Sequence, residues 1–203
     1  MPKNRNEDLI AALESRKGLY RLFNRFFLKE IDQSFLQGLQ NSQLMTLLEQ
    51  LNLPELNIVC TEAGIIDQLA TEFTRLFIGP GRHLSPHESI QRKTGGLLND
   101  DDTVKVRRFI EASGFSYISH MQHFPDHICA EFEFMEALIQ KQIEALSGGD
   151  FEEAETSEML QQEFLQRHIL QWVPQFCKKI ENEAELPIYP AVAQAVSAFI
   201  QSE

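Results

Sequence analysis

The stretch HMQHFPDHICAEFEFME, residues 120–136, sets His120, His123 and His127 within eight positions and follows them with Glu131, Glu133 and Glu136. Imidazole and carboxylate groups are the donors of zinc and non-haem iron sites, and they are also the usual partners in proton transfer. On one continuous helix His123, His127 and Glu131 would share a face, because residues four apart are neighbours on the helix surface. Pro125 interrupts that helix, and a proline deep inside a helix costs about 3 kcal/mol or more. The helix is therefore expected to begin at Pro125–Asp126, which leaves His120 and His123 in the preceding loop. Only His127 and Glu131 remain as an i,i+4 pair, too few for a metal site without help from His83 or His87. Asp126 and His127 are adjacent, so on a helix they point about 100° apart and form no dyad by themselves. The chain carries no GxSxG, no P-loop and no GxGxxG. No catalytic residue, metal or cofactor is expected. The reading preferred for the stretch is binding surface: a helix start capped by Asp126, with His127 hydrogen-bonding across the loop. A metal-dependent hydrolase using His123, His127 and Glu131 is the competing enzyme reading, and a general helical adaptor is a third.

The elements that would position these residues are helical almost throughout. Leu9, Ala12, Leu13, Tyr20, Phe23, Phe26 and Phe27 fall at three- and four-residue steps and form one apolar stripe. Leu36 and Leu39, then Leu44, Leu47, Leu48 and Leu51, indicate two shorter helices, the second capped by Ser42 and broken at Pro54. A longer helix is expected from about Thr61 to Phe77, ended by Gly79-Pro80-Gly81 with Gly79 in a left-handed cap. The segment 79–103 has weak periodicity and contains Gly95 and Gly96, so it is expected to be the mobile stretch and the hinge of any swapped dimer. Asn99–Asp102 offers caps for a helix ending near Ser113-Gly114. The helix after Pro125 should bury Ile128, Phe132, Met135, Ile139, Ile143 and Leu146 and stop at Gly148-Gly149. Asp150 should cap an acidic helix. Pro174 suggests a break around His168 to Trp172, and Pro190 falls in the first turn of the last helix. No period-2 segment or internal repeat appears. The fold expected is all-α: a single-domain bundle of about eight to ten helices over residues 1–203.

Composition restricts the partners. With 18 Lys and Arg against 30 Asp and Glu, the net charge of −12 disfavours nucleic acid, which needs clustered cations. No apolar run reaches the roughly 18–20 residues of a membrane span, and the charged N-terminus lacks the core of a secretory signal, so a cytoplasmic protein is expected. Cys60, Cys129 and Cys177 are odd in number, far apart and without a CxxC, which reads as core thiols rather than a disulfide or zinc framework.

Three motifs in order then carry a resemblance. EFTRLFIGPGRHLSPHESI (residues 72–90), PDHICAEFEFM (125–135) and FLQRHILQWVPQF (164–176) resemble the TorD/DmsD family of redox-enzyme maturation chaperones, and the helical pattern extends over nearly the whole chain. Some members carry a tryptophan after the loop proline where this chain has His87. The SPHES form is more similar to the TorD-like branch. The resemblance implies an all-helical cytoplasmic protein without catalysis of its own. It would bind the twin-arginine signal peptide, or another part, of an apo molybdenum-containing reductase, assist cofactor insertion and delay export, as a monomer or a domain-swapped homodimer. A peptide of two arginines followed by apolar residues needs an apolar groove with acidic groups at one end. Leu76, Phe77, Pro80, Pro86 and His87 are the candidates for its walls, and Glu88, Asp126 and Glu131 for its arginine end, with His127 ordering the loop.

Overall fold

The computed structural model of the chain describes residues 2–39, 64–92, 97–116 and 124–203. Among these residues every regular element is helical, as the apolar spacing predicts. The one pairing of extended chain is an isolated antiparallel bridge between His87 and His127. The helices are α1 (Pro2–Leu28), α2 (Gln33–Leu39), α3 (Ile65–Phe73), α4 (Glu88–Gln91), α5 (Asp101–Ala112), α6 (Ile128–Gly148), α7 (Phe151–Phe164), α8 (Leu170–Glu183) and α9 (Ile188–Ser202). Two π-helical turns extend α3 and α7: Thr74–Ile78 and Leu165–Ile169. The helix expected around Leu44–Leu51, its Ser42 cap, the Pro54 break, Cys60 and the start of the Thr61 helix lie outside the described residues. So do Gly95, Gly96, His120 and His123.

Three local expectations are corrected. Gly79 is not left-handed: its φ is −55° and its ψ 160°. Its N–H instead donates to the Thr74 carbonyl at 2.6 Å and closes the π turn, and a Cβ on Gly79 would come within 3.2 Å of that same carbonyl oxygen. There is no break at His168–Trp172. The chain passes through a wider π turn, in which Leu170 N–H donates to the Leu165 carbonyl, and continues directly into α8 with Pro174 inside it. The missing proline N–H then costs one helical bond, at the Leu170 carbonyl, rather than the whole helix. The helix after Pro125 begins at Ile128, not at Pro125–Asp126. Pro125 and Asp126 form a turn closed by His127 N–H to the Phe124 carbonyl at 3.0 Å.

Contacts divide the chain into two compact units, Met1–Arg25 with His87–Gln171, and Phe26–Pro86 with Trp172–Glu203. The first unit is built on α6, whose predicted stripe is buried throughout. Tyr20 meets Phe132 edge to face at 5.4 Å, and Phe134, Phe109 and Phe164 form an aromatic cluster with centroids 4.7 and 5.2 Å apart around Phe164. Burying each such ring contributes about 1.5–3 kcal/mol. Gly149, at φ 78°, ends α6, and the Asp150 carboxylate accepts the Glu153 N–H, so the chain reverses directly into α7. Two buried amides of the unit are paired: Gln161 donates to Gln142 at 3.0 Å and accepts from Arg16 at 2.6 Å. Asp100 caps α5 by accepting the Asp102 N–H.

In the second unit Phe77 is the hub of an aromatic core. Phe73, Phe27, Phe176 and Tyr189 lie around it with ring centroids 5.2–6.2 Å away. The Tyr189 hydroxyl donates to the Leu69 carbonyl at 3.0 Å, so its polar end is satisfied although the residue is buried. Burial pushes the Cys129 thiol of the first unit well up and the Cys177 thiol of the second to about 12, with Glu133 and Glu181 adding to it. Both are inert core thiols.

Glu72 ties this second unit together. Its carboxylate accepts two bonds from Arg75, at 2.8 and 2.9 Å, and the backbone N–H groups of Glu185 at 2.6 Å and Leu186 at 3.4 Å. Burial works against its charge, but these donors outweigh it and hold its pKa below the ordinary 4.5. A lowered folded pKa gives stability that is full above the unfolded value and is lost as pH falls through the folded one. Glu72→Gln is therefore expected to cost about 2 kcal/mol at pH 7 in urea unfolding, with the difference from wild type shrinking below about pH 4.

Candidate functional site

Residues 124–136 of the histidine-rich stretch form one corner of the first unit, where α4 meets the start of α6. The corner begins with extended backbone at His87 and His127, which pair as a bridge with their rings 4.8 Å apart and nearly perpendicular. Asp126 then satisfies the start of α4. Its carbonyl accepts the Glu88 N–H at 2.9 Å and its Oδ2 accepts the Ser89 N–H at 3.1 Å. The first N–H groups of a helix have no partner within the helix, so these bonds answer a real deficit. Asp126 is thus a cap, but for α4 rather than for its own helix. His127 caps α6 instead: its Nδ1 accepts the Cys129 N–H at 3.1 Å and its carbonyl accepts the Glu131 N–H. Its backbone is extended, at φ −75° and ψ 139°, as an N-cap residue requires.

Glu88 is fully buried. Its two oxygens hold two cationic or donating partners, Arg92 Nη1 at 2.6 Å and His168 Nδ1 at 2.9 Å. An ionised carboxylate only accepts, so His168 Nδ1 carries the proton of that bond. The His168 ring packs on Phe164 and Phe109, with centroids 4.9 and 5.8 Å away, and the Arg92 guanidinium also reaches the Arg167 carbonyl. Asp126 and Glu131 are likewise fully buried. The carboxylates expected to face arginines therefore lie inside the corner.

The remaining predicted residues belong to the second unit. Leu76 and Phe77 are core, at 1% and 7% exposure. Pro86 is buried and Pro80 exposed, and Leu84 N–H folds back onto the Leu76 carbonyl at 2.7 Å. Sequence reading did not single out Arg92, Ser89 or His168. Arg92 was legible as an i,i+4 partner of Glu88. His168 was legible only as a polar residue four positions after Phe164 on an apolar face. The backbone donor of Ser89 leaves no side-chain signal.

As arranged, most polar groups of the corner satisfy one another, while Asp126 Oδ1 and Ser89 Oγ are buried without a hydrogen-bond partner among the described residues. The His127 Nδ1 lone pair is spent on a backbone N–H, and both Glu88 oxygens are occupied, so neither group is poised to take a proton from a substrate. No set of three or more His, Cys, Asp or Glu among the described residues is placed to hold a metal ion. No helix among them is long and apolar enough to cross a membrane. Fold and corner together define an all-helical protein in which the described part of the stretch caps and joins two helices.

The family described as nitrate reductase delta subunit matches residues 41–178, and the chain belongs to that family. It is 26% identical to the chaperone protein TorD of Vibrio parahaemolyticus serotype O3:K6 and 28% identical to that of Vibrio atlanticus, each match covering 95% of this chain and 94% of the relative. The TorD chaperone of Photobacterium profundum is 26% identical over 96% of this chain. A crystal structure described as that of a redox enzyme maturation protein from Archaeoglobus fulgidus has the same fold, with a TM-score of 0.57, 23% identity, and coverage of 92% and 93% of the two chains.

His127→Ala should remove the α6 cap and the ring against His87, and lower stability by about 1–2 kcal/mol in urea unfolding. His127→Asn, which keeps a capping acceptor, should recover part of that loss.

Proposed function

We propose that this chain is a dedicated maturation chaperone for a molybdenum-containing reductase. It binds the twin-arginine signal peptide or another part of the apo catalytic subunit in the cytoplasm, holds it while cofactor is inserted and delays export. The observation that carries this reading is the long match: proteins named as TorD chaperones align over about 95% of both chains. The enzyme reading has no comparable support, and one of its three ligands, His123, lies outside the described residues.

The chemistry of the corner supports the reading in one respect. Glu88 already accommodates a guanidinium, that of Arg92, whose side chain remains 29% exposed. A client arginine would reach Glu88, which is fully buried with both oxygens occupied, only by displacing the Arg92 guanidinium, while Asp126 and His127 fix the backbone that carries Glu88. Leu76, Phe77, Pro80, Pro86 and His87 are retained as candidates for contacts to the apolar part of the client. Leu76 and Phe77 would serve by shaping the surface above them, since both are packed as core.

Calorimetric titration with a synthetic twin-arginine signal peptide tests the proposal. Replacing both peptide arginines with lysine should weaken binding about tenfold or more, because lysine cannot reproduce the planar bidentate fork. Equal affinity for the two peptides, or no binding of either, would reject signal-peptide recognition. Recovery of a molybdoenzyme subunit with the tagged chain from anaerobically grown cells would then separate a chaperone that grips another part of its client from a general adaptor.

A further inference from the structure

A cavity of about 520 Å³ opens in the first unit on the face of α5, away from the capping bonds described above. Four of the chain's 18 lysines and arginines line it: Arg92, Lys105, Arg108 and Arg167. Such convergence is notable in a chain of net charge −12. It follows from helix geometry. Lys105, Arg108, Phe109 and Ala112 lie at three- and four-residue steps on one face of α5. Arg167 and His168 are turned to the same cavity by the π turn at Leu165–Ile169, a distortion that recurs at functional sites.

Charge balance narrows the ligand. Arg92 is paired with Glu88 at 2.6 Å, Lys105 with Asp102 at 2.7 Å and Arg167 with Glu163 at 2.7 Å. Arg108 has no ion pair or hydrogen bond among the described residues. One guanidinium of the lining is unanswered among the described residues, which favours a ligand of one negative charge. Glu163, which lines the cavity, and the carbonyl end of α5 at Ala112 and Ser113 repel any anion, but a phosphate dianion about twice as strongly as a single carboxylate. Phe109, Ala112 and Leu160 give the cavity apolar walls, and its size suits a small ligand or a side chain with its neighbour.

We propose that this cavity binds a carboxylate carried on an apolar or aromatic body, with the Arg108 guanidinium holding the carboxylate and Phe109 and Leu160 holding the body. The carboxylate comes from a free small acid or from the end of a polypeptide. The proposal rests on Arg108, which the signal-peptide reading does not use, while Arg92 and His168 connect this cavity to Glu88.

The test is calorimetry on the full chain with two matched pairs of probes. One pair is N-acetyl-L-phenylalanine and its amide. The other is a ten-residue peptide ending in phenylalanine, as free acid and amidated. Inorganic phosphate is the control. The expected result is one-to-one binding of at least one free acid, with its amide weaker by about tenfold or more and phosphate weaker still. Tighter binding of the peptide acid assigns the site to a polypeptide, and tighter binding of the small acid to a metabolite; either supports the proposal. Arg108→Gln, a change at an exposed side chain, should weaken binding about tenfold with the circular dichroism and melting temperature unchanged. Leu160→Trp, which fills the cavity and leaves all four cations, should weaken it as well. Equal binding of acid and amide, preference for phosphate, no binding of either acid, or full affinity in Arg108→Gln would each overturn the proposal. Twin-arginine peptide binding measured on Arg108→Gln should be unaltered, which keeps the two sites separable.

Discussion

Taking a carboxylate out of water is costly unless donors replace its hydration, and the corner of the first unit depends on the donor that Asp126 takes on one of its two oxygens. Its Oδ2 takes the Ser89 N–H and its carbonyl the Glu88 N–H, the two backbone donors that a helix start leaves unmet. One residue thereby fixes both the entry to α4 and the position of Glu88. Glu88 in turn is fully buried with Arg92 and His168 on its two oxygens. Each charge is tolerable inside because the next group answers it. The described part of the stretch that looks in sequence like a catalytic or metal constellation therefore commits most of its polar groups to backbone and to one another, with Asp126 Oδ1 left without a hydrogen bond among the described residues.

Much of the fold was legible because helix periodicity is a local signal. The α6 stripe, the Asp100 and Asp150 caps and the Gly149 stop all follow from residue type and spacing, and all appear. The misreadings came where the deciding partner is distant in sequence or where the helix changes pitch. Asp126 was read as the cap of the nearest helix, but it caps one that begins 38 residues earlier, at Glu88. Pro174 was read as a break because a regular helix would need one. The π turn that precedes α8 leaves only one carbonyl to be forgone. The burial of Phe77 against Phe27, Phe73 and Phe176 likewise depends on chain segments up to about a hundred residues away, which no local pattern reports. His168 and Arg108 illustrate the same limit: each is an ordinary polar residue on a helix until the fold brings it to Glu88 or to a cavity.

The two units solve the problem of buried charge in similar ways. Glu72 in the second unit holds Arg75 and the backbone N–H groups of Glu185 and Leu186, as Glu88 in the first holds Arg92 and His168. In both, a carboxylate near a helix end collects donors from segments far apart in sequence. This arrangement fixes loops without a disulfide or a metal, which suits a chain whose described cysteines are buried free thiols. It also explains how so acidic a protein keeps carboxylates inside.

The central claim, that Asp126 holds the α4 entry and with it Glu88, is tested most directly by amide hydrogen exchange at Ser89 in wild type and Asp126→Ala, with Leu138 in the middle of α6 as the internal reference. The Ser89 N–H should be protected in wild type, and its exchange should accelerate by on the order of tenfold or more in the variant while Leu138 is unchanged. Equal Ser89 exchange in the two proteins, with the helical fold intact, would contradict the claim.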